Sequence, residues 1–247
     1  MFYIWEAEMA LIKNCQMSIF GSYEGIVPES ELVRKLADAL KEYEFIPGTI
    51  DVGFFDSSKG EASIGKRIHM VSDDGCWKIN IMMERIDFTY SYKEGTKEYS
   101  RINNVCDAAL KFSECVFSVL GEIRGRRLAL NCKVPYELTD DDIRKLILKD
   151  TMGISQYKEG VQRQLLHLVN TAVIEFGNGK TEESNVVFKT EVDARKSEKR
   201  LIITCDINTL AENKQLKFVP EDLNMYVVAA REKISGMLLD FQSFMER

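Results

Sequence analysis

The chain has 247 residues, 45% hydrophobic and 29% charged, with only 4 prolines and 15 glycines, which excludes long disorder and leaves ample material for a core. A formal charge of −6 and a pI of about 5.2 set the overall field against a phosphate backbone, so nucleic acid is disfavoured as a partner. The densest basic cluster, Arg195, Lys196, Lys199 and Arg200 mixed with Glu198, has no interleaved aromatic residue and reads as a solvated hairpin tip.

Cys15, Cys76, Cys106, Cys115, Cys132 and Cys205 contain no CxxC pair and no zinc-type spacing, so they read as reduced core residues suited to a cytoplasmic protein. Met1 to Trp5 meets Glu6 and Glu8 at once. That pattern lacks both a basic start and a sustained apolar run, and neither a signal peptide nor a membrane span is expected.

Along the chain, Ala10, Ile12, Cys15, Met17 and Ile19 alternate loosely and predict a first strand over 9–20 ending at Gly21. After Pro28, Leu32, Val33, Leu36, Ala37 and Leu40 recur at helical spacing, with Glu31, Arg34, Lys35 and Asp38 between them. This is an amphipathic helix that must end before Pro47. Strand patterns return over 49–55 and 62–71, on either side of the loop Asp56 to Gly60.

The most informative stretch is Arg67 to Tyr92. Asp74-Gly75 is a hairpin signal, because tight primed turns need positive φ, which glycine adopts without a Cβ clash. Trp77, Ile79, Ile81 and Met83 then alternate with Lys78, Asn80 and Met82, before the phase slips by one residue to Ile86, Phe88, Tyr90 and Tyr92. A β-bulge between Met83 and Ile86 would explain the slip within one long strand, whereas a tight turn at Glu84 and Arg85 would make two short ones. The bulge is favoured, because neither Glu nor Arg suits the left-handed positions of a two-residue loop.

Ser100 is placed to cap a helix whose face is Ile102, Val105, Ala109, Phe112, Val116 and Leu120, and which Gly121 ends. Leu128, Leu130, Cys132 and Val134 alternate with Arg127, Ala129, Asn131 and Lys133 in a half-buried strand stopped by Pro135. Thr139 with Asp140, Asp141 and Asp142 opens a short helix to Lys149, its acids placed where the dipole favours negative charge. Thr151 to Gln162 lacks periodicity and marks the mid-chain boundary. Strands over 165–176 and 185–192 follow, joined through Gly177-Asn178-Gly179, and then a third over 200–207. Pro220 begins the last helix, where its missing N–H costs least, and Leu223, Val227, Ala230, Ile234, Met237, Leu238 and Phe241 form its stripe.

Hairpin-joined strands between occasional helices do not build a parallel sheet, so the fold class is α+β: antiparallel β-meanders packed against long amphipathic helices. Residues 1–150 form a β-α-β-meander-α-β module, and 163–247 a three-stranded meander plus the C-terminal helix, packed as one compact unit. Each module runs meander and then helix, which raises two similar halves without a residue-level repeat.

Asp74-Gly75 before the aromatic stretch Lys78 to Tyr92, the helix and strand over Ser100 to Gly121 and Leu128 to Val134, and Ile202-Ile203-Thr204-Cys205-Asp206-Ile207 before a helix ending near Phe241 or Phe244 define a layout of common residue types. This layout resembles a sporadically distributed bacterial family of uncharacterised α+β proteins. Met83-Glu84-Arg85-Ile86-Asp87 lacks the glycine that family places near the middle of the long strand. The resemblance implies a fold and assigns no activity to any residue.

The two histidines, His69 and His167, fall in expected strands and read as structural or surface residues. The sequence has no GxSxG, HExxH, Walker-type or GxGxxG motif. Gly121 to Gly125, with Arg124, Arg126 and Arg127, precedes a strand and so lacks the helix dipole of an anion site. Asp140, Asp141 and Asp142 are explained by capping, Asp73 and Asp74 by the hairpin turn, and Phe88, Tyr90 and Tyr92 by sheet core in preference to a base-stacking platform. No catalytic, cofactor-binding or metal-ligating residue is therefore assigned, and no cofactor is expected. The reading is a non-catalytic cytoplasmic binding or scaffolding protein of bacterial defence or mobile elements. It would work through a protein partner or homo-oligomer, without nucleic acid or membrane. The alternative is an enzyme whose dispersed Asp, Glu, Tyr and Arg residues meet in a cleft between the two halves.

Overall fold

Strand pairing organises this chain more than its helices do. The computed structural model describes residues 11–56, 61–93, 100–138, 163–177, 179–193 and 200–246. In chain order the elements are β1 (Leu11–Ile12), β2 (Asn14–Gly21), α1 (Ser30–Ala39), β3 (Phe45–Asp56), β4 (Glu61–Ser72), β5 (Trp77–Ile81) and β6 (Arg85–Ser91). They continue with β7 (Ser100–Arg101), α2 (Ile102–Leu120), β8 (Gly125–Glu137), β9 (Arg163–Phe176), β10 (Lys180–Asp193), β11 (Arg200–Thr209) and α3 (Pro220–Glu246). Among the described residues nine strands form one sheet in the order β3-β4-β5-β6-β2-β8-β11-β10-β9, every neighbour antiparallel. The protein is therefore α+β with a large antiparallel sheet, and β1 and β7 add a separate two-stranded ladder.

The sheet buries one face. Period-two alternation sends Cys15, Met17 and Ile19 of β2, Leu128, Leu130 and Cys132 of β8, and Ile203, Cys205 and Ile207 of β11 to the same side, all buried. The three described helices lie there. Phe112 of α2 meets Tyr43, Phe45 and Trp77 edge-on at 4.9–5.1 Å between ring centroids, and Phe117 meets Phe88 at 5.8 Å. At the other end, Tyr226 and Phe241 of α3 pack on Phe176 and Phe188. Arg231 of α3 donates to Asp107 of α2 at 2.8 Å, which ties the two longer helices together. Leu223, Val227, Ala230, Ile234, Leu238 and Phe241 are buried as the spacing predicts; Tyr226, which the stripe omitted, is buried too and donates to Ser184 at 3.1 Å.

On one side of the central β2–β8 pair lies the four-strand meander β3 to β6, and on the other the three-strand meander β9 to β11; β7 and α2 follow β6 in the chain, and α3 follows β11. Asp74-Gly75 turns the chain between β4 and β5 with Gly75 at φ 64, and Gly177 and Gly179, at φ 38 and 77, flank the β9–β10 turn.

Three local expectations are corrected. The bulge between Met83 and Ile86 is a turn: Met82 N donates to Arg85 O at 2.9 Å, and β5 and β6 are separate strands. The connection has three residues, Met82, Met83 and Glu84, none at positive φ, so the restriction on two-residue loops does not apply. The phase slip arises because Ile79 faces Phe88 and Ile81 faces Ile86 across the turn, two apolar sets on one face. Ser100 does not cap α2; it pairs with Ile12, and the N-cap residue Arg101 makes no side-chain cap bond. Pro135 does not stop β8, which runs to Glu137 against β11. Its pairing with β2 ends at Lys133, so Pro135 lies where one side of the strand has no β2 partner, an edge-like position that tolerates a missing N–H. The expected helix from Thr139 to Lys149, the boundary at Thr151 to Gln162, residues 57–60, Asn178 and residues 195–199 lie outside the described residues.

Candidate functional site

The set of side chains opposite the core builds a polar face that no described helix covers. At its centre, the register aligns two rows across four strands, Asp87–Ser18–Ala129–Asn208 and Thr89–Gln16–Asn131–Asp206. Asn14 and Lys133 extend it at one end, and Phe20 and Arg127 at the other. Together β2, β8 and β11 line a concavity of about 330 Å³.

Asp87 is buried, accepting from Ser18 Oγ at 2.7 Å and from Arg85 Nε at 2.9 Å. Burial pushes its carboxyl above the ordinary range, and the hydrogen bonds from Ser18 and Gln16 and the charge of Arg85 offset this only in part. Asp206 is raised for the same first reason, against lowering by Asn208, Asn131 and Arg127. Arg127 is held by Thr209 O at 3.2 Å and Asn208 Oδ1 at 3.1 Å, and its guanidinium lies 4.8 Å from the centre of the Phe20 ring. Gln16 donates to Ser18 Oγ at 3.1 Å, and Asn14 to Tyr90 O and Ser91 Oγ, both at 2.9 Å. The amides are thereby oriented before any ligand arrives.

The side chains of this face are of types that suit recognition. Asp87 and Asp206 are three strand spacings apart, about 14 Å laterally. That exceeds the roughly 5–9.5 Å at which two carboxyls share acid–base work on one bond. Asparagine, glutamine and serine side chains offer paired donors and acceptors, suited to amide or hydroxyl groups of a ligand.

His69 Nδ1 and Asn80 Oδ1 lie 2.6 Å apart on β4 and β5, while His167 sits on β9, seven strands away from β4, on the order of 30 Å along the sheet. They cannot share a metal, and the described residues contain no group of three or more His, Cys, Asp or Glu able to hold one. Asp74 Oδ1 accepts from Ser72 Oγ and Cys76 N, as a turn residue does. Phe88 and Tyr90 are buried among core rings. Asp140, Asp141 and Asp142 lie outside the described residues. Of the arginines after Gly121, Arg127 reaches the polar face.

The cysteines form a second cluster. Cys15, Cys132 and Cys205 are register partners on three adjacent strands, Cys15 Sγ lies 3.0 Å from Cys132 Sγ, and all are free thiols. Burial, then the charge of Asp206, pushes the Cys205 thiol to about 12, and Cys106 of α2 is raised by its bond to Cys15 and by burial. These thiols are buried, and burial disfavours the thiolate that nucleophilic chemistry requires.

Sequence reasoning passed over Asn14, Gln16, Ser18 and Asn208. The available signal was the polar half of each alternation; what sequence did not give was the adjacency of β2, β8 and β11, which are far apart in the chain. No known family model matches this chain, and a search of curated proteins finds no match.

Proposed function

We propose that this is a non-catalytic binding or scaffolding protein that uses the open sheet face to hold an extended polypeptide segment of a protein partner. The observation that supports this most is the pre-oriented set of amides across β2, β8 and β11 with the Ser18 hydroxyl, beside carboxyls too far apart for joint acid–base catalysis. The same reading includes a cytoplasmic location, a link to bacterial defence or mobile elements, and membership of the bacterial family the layout resembles. It also includes long amphipathic helices over two similar halves. A two-fold through the Met17–Leu130 pair would exchange Ser18 with Asn131 and Asp87 with Asp206, which supports a duplication.

The test is selection of a phage-displayed random peptide library on the wild-type protein, followed by titration of the enriched peptides. The double variant Gln16→Ala/Asn131→Ala should bind them about tenfold more weakly, since each lost hydrogen bond is worth roughly 0.5–1.5 kcal/mol. No enrichment, or binding indifferent to these substitutions, would refute the proposal. The enzyme reading is favoured by one observation, the raised carboxyls of Asp87 and Asp206 in a recess. Cleavage or modification of a bound peptide, seen as a mass change, would establish that reading in its place.

A further inference from the structure

The two ends of the sheet are finished differently. Counting outward from β2–β8, β4 and β9 occupy corresponding places, but β4 is covered by β3 whereas β9 is outermost. Among the described residues no strand pairs with the outer edge of β9. The other edge strand, β3, carries Pro47, Gly48, Asp51 and Gly53, residues that discourage edge-to-edge pairing. β9 reads RQLLHLVNTAVIEF over 14 residues, with neither proline nor lysine. Leu165, Val169 and Val173 on its open-face side are 54%, 60% and 64% exposed.

The order of these residues is self-complementary. Antiparallel pairing of β9 with a second β9 about Val169 sets Leu165 opposite Val173, His167 opposite Thr171, and Val169 opposite itself. It also sets Glu175 opposite position 163, an arginine in the sequence. A shift of two residues in one direction places Glu175 against Leu165 and loses the charge match, and parity excludes the odd shifts, which put opposite faces together. Opposite charges and apolar pairs directly across a ladder are stabilising, and an isologous contact of this kind closes on itself as a two-fold dimer.

We infer that two copies of this chain associate through their β9 edges, antiparallel and centred on Val169, joining their sheets into one. The dimer would place both polar faces on the same side of the joined sheet; the inference does not depend on what those faces bind.

The test is sedimentation equilibrium of the full chain, with hydrogen exchange at β9. The wild-type protein should be a dimer with β9 amides protected in a concentration-dependent way. Val169→Lys places two like charges at the two-fold, and should weaken association about 100-fold or more with an unchanged circular dichroism spectrum. Glu175→Arg should weaken the dimer, and adding Arg163→Glu should restore it, a recovery that survives any doubt about folding of the lysine variant. A monomer at all concentrations, including one whose β9 amides are protected by another segment of the same chain, would overturn the inference. So would a dimer indifferent to these substitutions.

Discussion

Leu130→Ala tests whether the sheet unites the chain. Leu130 is fully buried at the middle of β8, opposite Met17 on β2 and Ile207 on β11, themselves buried. Those neighbours belong to ladders that hold their backbones in place, so the site cannot collapse far. The lost transfer energy plus the remaining cavity gives about 3–4 kcal/mol, within the range of roughly 2–5 for buried Leu→Ala. For a domain of this size that lowers Tm by on the order of 10 °C. Urea unfolding should be followed both by far-ultraviolet circular dichroism and by tryptophan fluorescence, to which Trp77 on β5 contributes. Both midpoints should fall together with an unchanged slope, because a defect at β8 is felt by β5 through β6 and β2. A loss below about 1 kcal/mol, outside the range for a well-packed site, would refute the packing argument. Separation of the two transitions would refute the single cooperative sheet.

Gly125→Ala should cost about 1–3 kcal/mol by overpacking: its Cβ would lie 2.5 Å from Cγ1 of the buried Ile19, while two backbone bonds to Phe218 hold residue 125 in place. Thermal melts check this, and an unchanged Tm would show that Ile19 yields freely. Asp87→Asn should raise stability near pH 7. Because the folded carboxyl is raised above the ordinary 3.8, its favourable contribution is present below that value and lost as pH climbs through the folded one. The Tm advantage of the asparagine variant should therefore shrink as pH falls toward 4, and an advantage that grows on acidification would contradict the burial argument. A thiol reagent added to the native protein should react readily with Cys115, the half-buried cysteine, and with the other five only after unfolding; fast reaction of Cys15 or Cys132 would contradict the packed row.

The elements were legible where one face is apolar. Met17 and Ile19, Leu128 to Val134, and the stripe from Leu223 to Phe241 carry their burial in their spacing, and Asp74-Gly75 and Gly177 with Gly179 carry their turns in backbone chemistry. The β5–β6 turn was missed because three residues in ordinary conformations need no special side chain. The polar face was missed for a deeper reason. Gln16, Asn131 and Asp206 are ordinary solvent-side residues of three strands until the pairing of β2 with β8, and β8 with β11, sets them in one row. That pairing depends on contacts more than a hundred residues apart for β2 and β8, and no local pattern encodes it.

Ala129 lies at the centre of the recess, between Ser18 and Asn208. Ala129→Trp fills the space above it without removing any hydrogen-bonding group, which makes it the most direct test of the open face. If that face holds a polypeptide, the affinity of library-selected peptides for the tryptophan variant should fall at least about tenfold, or 1.4 kcal/mol, with a circular dichroism spectrum like that of wild type. Equal affinity for the two proteins would contradict the account.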